Sequence, residues 1–569
     1  MKVARNNQLI RMTAISICLI FMSSALMAQT FNEILARPTN NSMTISIMFN
    51  QKADVYWVYG TSPGANTLTS PNLIAKADTP MVYEFTNLLP NTKYYFTTKY
   101  RTNGSSGSFL SGPEHFFNTQ RAVGSSFTFT VEADEHLNDK KGVVNLYKIC
   151  LENQAKDNPD FMISMGDIFG DDHNPFTITY HQLDSLHKVY RPLLGNICHS
   201  IPFYICLGNH EGENDYYLAQ TPPNNIATYA TLTRKFYYSN PFPNSFYTGN
   251  SDNEPNGIGK PENYYAWTWG EALFVVMDVY RDQCDTSPKP TKWNWSIGTP
   301  QYTWLKNTLE GSTAKYKFVF AHHVSGQGRG GINQAKLYEW GGYEANGTTW
   351  GFTTNRPGWA KPIHQLFVDN GVNIFFQGHD HVFAHEVMDN VIYQSMPMPS
   401  DSTYQIGMLA NADAYVSDTV DGSGHVRITV TPVCVKVDYI KAYLPADTVS
   451  GIHHNREIGF SYTIGDCSTV GINAIKKGSS NQFKSSPNPF STETCFHFGI
   501  AKPTNIKFEI SDIKGNVVYT ISKDYSTDGN YSIIWDGKSI SGIDLPNGTY
   551  ICRAISNENV YITKVIKLK

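Results

Sequence analysis

The spacing of hydrophobic and polar positions changes character along this chain. Between residues 31 and 122, apolar and polar residues alternate in short runs such as "SMTISIMF", "ADVYWVYG", "MVYEFTNL" and "TKYYFTTKYR". Turn-formers at Pro90-Asn91 and Asn103-Gly104 separate them, which predicts an antiparallel β-sandwich. From 125 to 465, apolar β-rich runs alternate with helical spacing. Val143, Leu146, Tyr147, Cys150 and Leu151 fall on one helix face, and "QYTWLKNTLE" reads as a second helix ahead of the strand "KYKFVFA". That alternation predicts an α/β layered domain. Residues 466–486 form a polar connector, and residues 487–569 return to short alternating strands with turns at Lys514-Gly515 and Asn547-Gly548, a small third sandwich. The 569 residues are enough for several domains.

Composition adds little to this division. The chain is 41% hydrophobic and 17% charged, with a net charge of -4, so charge points neither to a nucleic-acid partner nor to an anionic membrane surface. The N-terminus adds more. Lys2, Arg5 and Arg11 precede an apolar run from about Ala14 to Met27, and Ala28-Gln29 offers a small-residue cleavage point. Residues 1–28 read as a secretory signal peptide, too short to span a membrane comfortably, and no second apolar run is long enough to do so. Eight cysteines remain after cleavage, at 150, 198, 206, 284, 434, 467, 495 and 552. Export permits disulfides, but the wide spacing defines no pairing and no zinc ribbon.

Candidate chemistry gathers in the central segment. Five apolar, strand-like runs each end in a polar cluster: Asp134 and His136; Asp167; Asn209, His210 and Glu211; His322 and His323; His379 and His381. Sites in layered α/β folds collect at the carboxyl ends of strands, so these clusters are expected to share one pocket. If the strands run on through them, Asp134/His136 and His379/His381 would each point to one side. Carboxylate, amide oxygen and imidazole suit divalent or trivalent ions, and a carboxylate between two ions can bridge them.

In this order the motifs Asp-x-His, Gly-Asp, Gly-Asn-His-Glu, strand-end His and Gly-His-x-His resemble those of the calcineurin-like metallophosphoesterase superfamily. The resemblance implies a central αββα sandwich flanked by a fibronectin III-like β-sandwich (31–122) and the small C-terminal sandwich. It also implies a site residue by residue. Asp134, His136 and His381 would hold one metal, Asp167 would bridge, and Asn209, His322 and His379 would hold the second. His210 would face the leaving-group oxygen, with Glu211 orienting its imidazole. His323 competes with His322 for its role, but the spacing from Val319 favours His322. His385, His453, His454, His115 and His497 read as structural or surface residues, and Asp171 and Asp172 as loop solvation. His173 is a candidate for the pocket mouth. Arg281 and Arg329 read as ion-pair residues before phosphate binders. Tyr264, Tyr265, Trp267 and Tyr280 are expected to shape the substrate pocket.

The sandwich-plus-phosphoesterase order is similar to purple acid phosphatases, with two departures. Gly170 stands where those enzymes carry a tyrosine, and His136 is a histidine they lack, so a ferric-tyrosinate centre is not expected. The implied activity is hydrolysis of small phosphomonoesters by in-line attack of a metal-bound hydroxide, with two ions drawn from iron, manganese or zinc. A phosphodiesterase or nucleotidase is the alternative within the superfamily, and a catalytically inactive surface-binding protein the alternative outside it. "SPNPF", "ISDIKGNVVYTI", "LPNGTYICRA" and "TKVIKLK" resemble a type IX secretion sorting domain. That implies the secretion machinery as a partner and a secreted or outer-surface location.

Overall fold

A computed structural model describes residues 29–569 except 65–66, 138–141, 170–173, 219, 282–289, 325–328, 416, 468–482, 501–502, 514–515, 528, 556–559 and 569. The leader segment, Gly170, Asp171, Asp172, His173, Cys284, the Lys514-Gly515 turn and most of the connector therefore lie outside the described residues.

The N-terminal strands form two antiparallel sheets. One orders Phe31–Ala36, Met43–Phe49 and Met81–Phe85; the other pairs Ala53–Gly60 with Lys93–Thr102, which in turn pairs with Leu110–Asn118. Trp57, Phe85, Phe96 and Phe117 fill the space between them. Near the Pro90 turn, Tyr94 Oη accepts the Leu89 N–H at 2.8 Å, which ties the strand entry to the bend before it. The seam to the central unit is polar and satisfied. Arg191, fully buried, donates to Ser46 O at 2.7 Å and Asn32 Oδ1 at 2.6 Å, while Asp160 accepts Arg121 at 2.6 Å and Trp269 Nε1 at 3.0 Å.

Two sheets face each other in the central unit. The first is ordered Phe203–Ile205, Phe161–Ser164, Phe127–Glu132, Ser423–Val430, Cys434–Ala442, Ile458–Gly465, with its first three strands parallel. The second places Ala272–Val276, Tyr316–Phe320, Ile374–Gln377 and Val391–Ser395 side by side and parallel. Alternate residues of both sheets meet between them: Phe129, Phe161, Phe274, Phe318, Phe320 and Phe376 all have essentially no exposed surface. Helices Val144–Lys156 and Tyr180–Cys198 cover the outer face of the first sheet, and Gly298–Glu310 and Ile363–Asp369 that of the second. The result is four layers, helix, sheet, sheet, helix, and the strands at the middle of each sheet are apolar on both faces because both faces are covered.

Helix Tyr180–Cys198 starts with Thr179, whose side chain accepts Gln182 N–H while Gln182 returns a bond to the Thr179 backbone, a reciprocal cap. Its interior Pro192 does not end it. The C-terminal strands form two further antiparallel sheets around Phe496, Phe498, Phe508 and Trp535. A disulfide joins Cys434 to Cys467; Cys150, Cys198, Cys206, Cys495 and Cys552 are free thiols. No helix among the described residues is long and apolar enough to cross a membrane.

One buried histidine makes the fold acid-sensitive. His187 is 2% exposed, lies 4.6 Å from the Phe169 ring and stacks on Tyr237. Burial, aided by Arg234, pushes its pKa down to about 3. Below the ordinary imidazole value near 6.5, the unfolded chain takes up a proton that the native state refuses. Stability is therefore full above that value and falls as pH drops toward 3. Between pH 7 and pH 5 the group accounts for a loss of about 2 kcal/mol. Urea unfolding at the two pH values should show His187→Gln losing correspondingly less than the parent; equal losses would exclude the group.

Candidate metal centre

The strands ending at Glu132, Ser164, Ile205, Phe320 and Gln377 present their carboxyl ends on one rim of the two sheets. The polar clusters that follow converge there. They do so through turns rather than by continuing the strands. Asp134 (φ 62°), His136 (43°), Asp167 (59°), His379 (70°) and His381 (58°) all lie in the left-handed region. Asp134 and His136 do meet in one ligand group, but by a turn beyond the strand rather than by strand alternation, and His379 and His381 fall in different groups. Left-handed backbone costs a non-glycine residue roughly 1–3 kcal/mol and persists where the surroundings impose it, which is common at functional sites. The tight reversal also explains a glycine. A Cβ on Gly378 would lie 2.7 Å from Asp134 Oδ2 and 2.9 Å from the Ala133 Cβ.

Asp167 sits at the middle of the cluster. Its Oδ2 is 3.1 Å from His322 Nε2, 3.8 Å from His136 Nε2 and 3.9 Å from His210 Nε2, and its Oδ1 accepts the His210 N–H at 2.8 Å. Asp134 Oδ1 is 3.7 Å from His381 Nε2 and 3.8 Å from His322 Nε2, and its carboxylate accepts the His379 N–H at 2.9 Å. The His136 and His381 Nε2 atoms are 3.0 Å apart. His322 Nδ1 donates to Met165 O at 2.8 Å and His381 Nδ1 to Leu409 O at 3.1 Å, so both rings turn Nε2 inward.

Three overlapping groups have ligand atoms within 4.8 Å of one another: Asp134, His136 and His381; His136, Asp167 and His210; Asp167, His322 and His379. One polar atom at this rim, Asn209 Oδ1, is buried with no hydrogen-bond partner among the described residues. Such groups are costly unless something polar or cationic meets them. The charge balance agrees. Burial opposes charge on His322, but Asp167 and Asp134 outweigh it and raise the pKa to about 9. Burial, with the neighbouring His136, pushes His381 down to about 3, and burial with His323 and His322 holds His379 far below its usual value. The neutral His379 and His381 rings beside Asp134 and Asp167 form a donor set for cations of N,O preference, which His322 joins by giving up its Nε2 proton to an arriving cation.

Glu211 makes contacts beyond its expected role beside His210. Its carboxylate accepts N–H bonds from Gly208 (2.6 Å), Ile168 (2.7 Å), Asp167 (2.8 Å) and Phe169 (3.4 Å). Both oxygens thus clamp the Asp167 loop to the Asn209 loop, which makes Glu211 a positioning residue. His323 turns its Nδ1 to the Val324 carbonyl and lies against His379, with ring centroids 4.6 Å apart, while His322 enters the cluster.

The aromatic expectations are corrected in part. Tyr265 and Trp267 face the core between the sheets, Trp267 stacked on Tyr204 and Phe274. Tyr264 packs on Trp304. Tyr280 alone approaches the centre, its ring 5.9 Å from that of His322 and its Oη buried without a partner. Arg281 is 4% exposed and paired with Glu254 and Glu213, closed to phosphate. Arg329 stays 44% exposed in its side chain and pairs with Asp380 at 2.9 Å. His385 faces Asp418 and Tyr462, His453 stacks on Tyr443, and His115 stacks on His199, all away from the cluster; His497 is exposed.

A cleft of about 220 Å³ opens beside the cluster, walled by His136 and His381 and by Arg329, Met398, Met408, Leu409 and Asn411. The two methionines and Leu409 were not anticipated from sequence, because their segment carries no periodicity that marks a wall. Larger clefts of about 690 and 760 Å³ include none of the clustered residues.

Comparison with known proteins agrees with this architecture. Residues 127–383 match the sequence model of the family described as calcineurin-like phosphoesterase, and residues 495–558 that of the FlgD Ig-like domain. A solved structure of PhoD aligns with a TM-score of 0.54 at 18% identity, covering 76% of this chain and 90% of that one. Purple acid phosphatase PPD1 from yellow lupin (Lupinus luteus) seeds aligns at 0.51 and 14% identity, covering 76% and 74%. At such identities the likeness is one of fold. Among curated proteins, none matches the sequence. The family match thus covers a little under half of the chain, the part that holds the site, and the protein is a metal-dependent phosphoesterase.

Proposed function

We propose that this protein is an exported phosphatase that hydrolyses phosphomonoesters at a centre of two metal ions. Asp134, His136 and His381 would hold one ion, Asn209, His322 and His379 the other, with Asp167 shared. The observation that carries the reading is the position of Asp167, which belongs to two of the three ligand groups at once and lies 3.9 Å from His210 Nε2. When bound, two ions of the iron, manganese or zinc kind supply charge for the phosphoryl oxygens and acidify water. The chain's own contributions are separate. Asp167 and Asp134 set the negative charge that gathers the cations. His322 and His381 are held in one tautomer by carbonyl oxygens, which fixes the direction of their lone pairs. His210 is 21% exposed in its side chain, open enough to reach a substrate, and would hand a proton to the departing ester oxygen.

The test is metal analysis with hydrolysis of 4-nitrophenyl phosphate beside bis(4-nitrophenyl) phosphate. The expected result is about two metals per chain and faster turnover of the monoester. A preference for the diester would replace phosphatase by phosphodiesterase. His210→Ala should keep the metal content and lose about 10²–10⁴-fold in turnover, the usual size of a general-acid contribution. Unchanged turnover would remove His210 from the mechanism.

The flanking units support a location. The charged, then apolar residues 1–28 fit a secretory leader, and the Tyr94–Leu89 bond fits a fibronectin III-like sandwich. The C-terminal sandwich fits a sorting domain read by type IX secretion machinery, which would leave the enzyme secreted or on the outer surface. The disulfide Cys434–Cys467 suits an oxidising compartment.

A further inference from the structure

The cleft beside His381 is lined by one cationic side chain, Arg329, by the apolar Met398, Met408 and Leu409, and by Asn411. The geometry points to substrates whose leaving group is a single ring-sized apolar body carrying a second negative charge, with that charge held by Arg329. The inference deepens the phosphoesterase reading and rests on it.

Arg329 is oriented by its surroundings. Its Nη1 donates to Asp380 Oδ1 at 2.9 Å and to the His379 carbonyl at 3.2 Å. Asp380 is itself buried and fixed, accepting Gly330 N–H at 2.9 Å and Tyr415 Oη–H at 2.8 Å. One edge of the guanidinium is thus anchored. Among the described residues, Nε and Nη2 donate to nothing, and the side chain is 44% exposed. A planar fork with one edge pinned and the other open is suited to a carboxylate or a second phosphate. Among the described residues that line this cleft, Arg329 is the only basic side chain beside the two histidines.

The apolar part of the lining selects the body that bears that charge. Met398 is buried behind it, while Met408 is 63% exposed, a large apolar side chain left uncovered next to charged groups. Methionine adapts its shape to flat apolar partners. Size sets a limit. An apolar cavity of about 150 Å³ admits a benzene ring, so about 220 Å³ has room for one substituted ring. The phosphoryl group would lie by Asp167, with the leaving group running past His136 and His381 into the cleft.

The experiment uses the metal-loaded protein. Binding of the non-hydrolysable pair 4-carboxyphenylphosphonate and phenylphosphonate is measured by calorimetry, and kcat/KM for the two corresponding aryl phosphates is measured in parallel. A half-exposed charged pair predicts about tenfold tighter binding of the carboxylated member and a similar kcat/KM ratio. In Arg329→Gln both ratios should fall to about one. Met408→Ser should weaken both phosphonates about threefold relative to methylphosphonate. A wild-type ratio near one, or a ratio preserved in Arg329→Gln, overturns the inference of a charge held by Arg329. If phenyl phosphate is still hydrolysed in that case, the phosphoesterase reading stands without it. If neither ester is hydrolysed, the reading beneath falls as well.

Discussion

Asp167→Ala is expected to abolish hydrolysis, lowering phosphomonoester turnover by at least about 10³-fold, because a carboxylate shared by two cations loses both when removed. No other residue of the cluster faces His136, His210 and His322 together. The variant should purify with less than one metal per chain. Alanine also accepts the left-handed backbone at this position poorly, at a cost of roughly 1–2 kcal/mol. Asp167→Asn separates the two effects: asparagine tolerates that backbone and lacks only the charge. It should unfold like the parent once metal is stripped from both, yet remain depleted in metal and slow. Metal content by emission spectroscopy, with thermal unfolding of the stripped proteins, reads both quantities. Parental turnover in the asparagine variant would remove Asp167 from the centre of the site.

Glu211→Gln carries the second large effect. The carboxylate accepts four backbone N–H groups with both oxygens, and glutamine keeps the shape while turning an NH2 toward some of those donors. Leaving buried donors unmatched costs about 1–3 kcal/mol each, so a loss of about 3 kcal/mol in the metal-stripped protein is expected by urea unfolding. The Asp167 and Asn209 loops would then drift apart, and a misplacement of about 1 Å is enough to cost about 10²-fold in turnover. The alternative, that Glu211 acts by tuning His210, predicts a different signature: unchanged stability with a shifted pH–rate profile. The two readouts therefore decide between clamp and tuner.

The sequence hides the amide partners of this glutamate for a physical reason. In "GNHEGEN" the acid is adjacent to His210, and adjacency suggests partnership. Glu211 is instead turned back under the loop, where the Asp167 strand end supplies amide groups from 43 and 44 residues away in the chain. The same limit governs Tyr265 and Trp267. Strands Tyr265–Trp269 and Ala272–Val276 are almost wholly buried, so nothing in their pattern distinguishes the face toward the second sheet from a face toward a pocket. Helix Tyr180–Cys198 is not among the elements expected from the pattern; the structure shows its Thr179–Gln182 cap, the buried Leu183, Tyr190, Leu194 and Ile197, and an interior Pro192, a residue that disfavours helix.

The sequence by itself determined the kind of chemistry available. Strand-like runs ending in Asp, Asn and His are legible because burial forces apolar residues into the strands and leaves ligand-type residues at their ends. Tertiary structure alone decided the assembly of those ends. Five left-handed residues turn the chain back on itself beyond the strands, the parallel order of two sheets brings distant loops onto one rim, and Asp167 becomes common to two groups. Local pattern reports whether a residue is buried; which partner meets it depends on contacts between segments hundreds of residues apart, such as His136 with His381, and only the folded chain makes those.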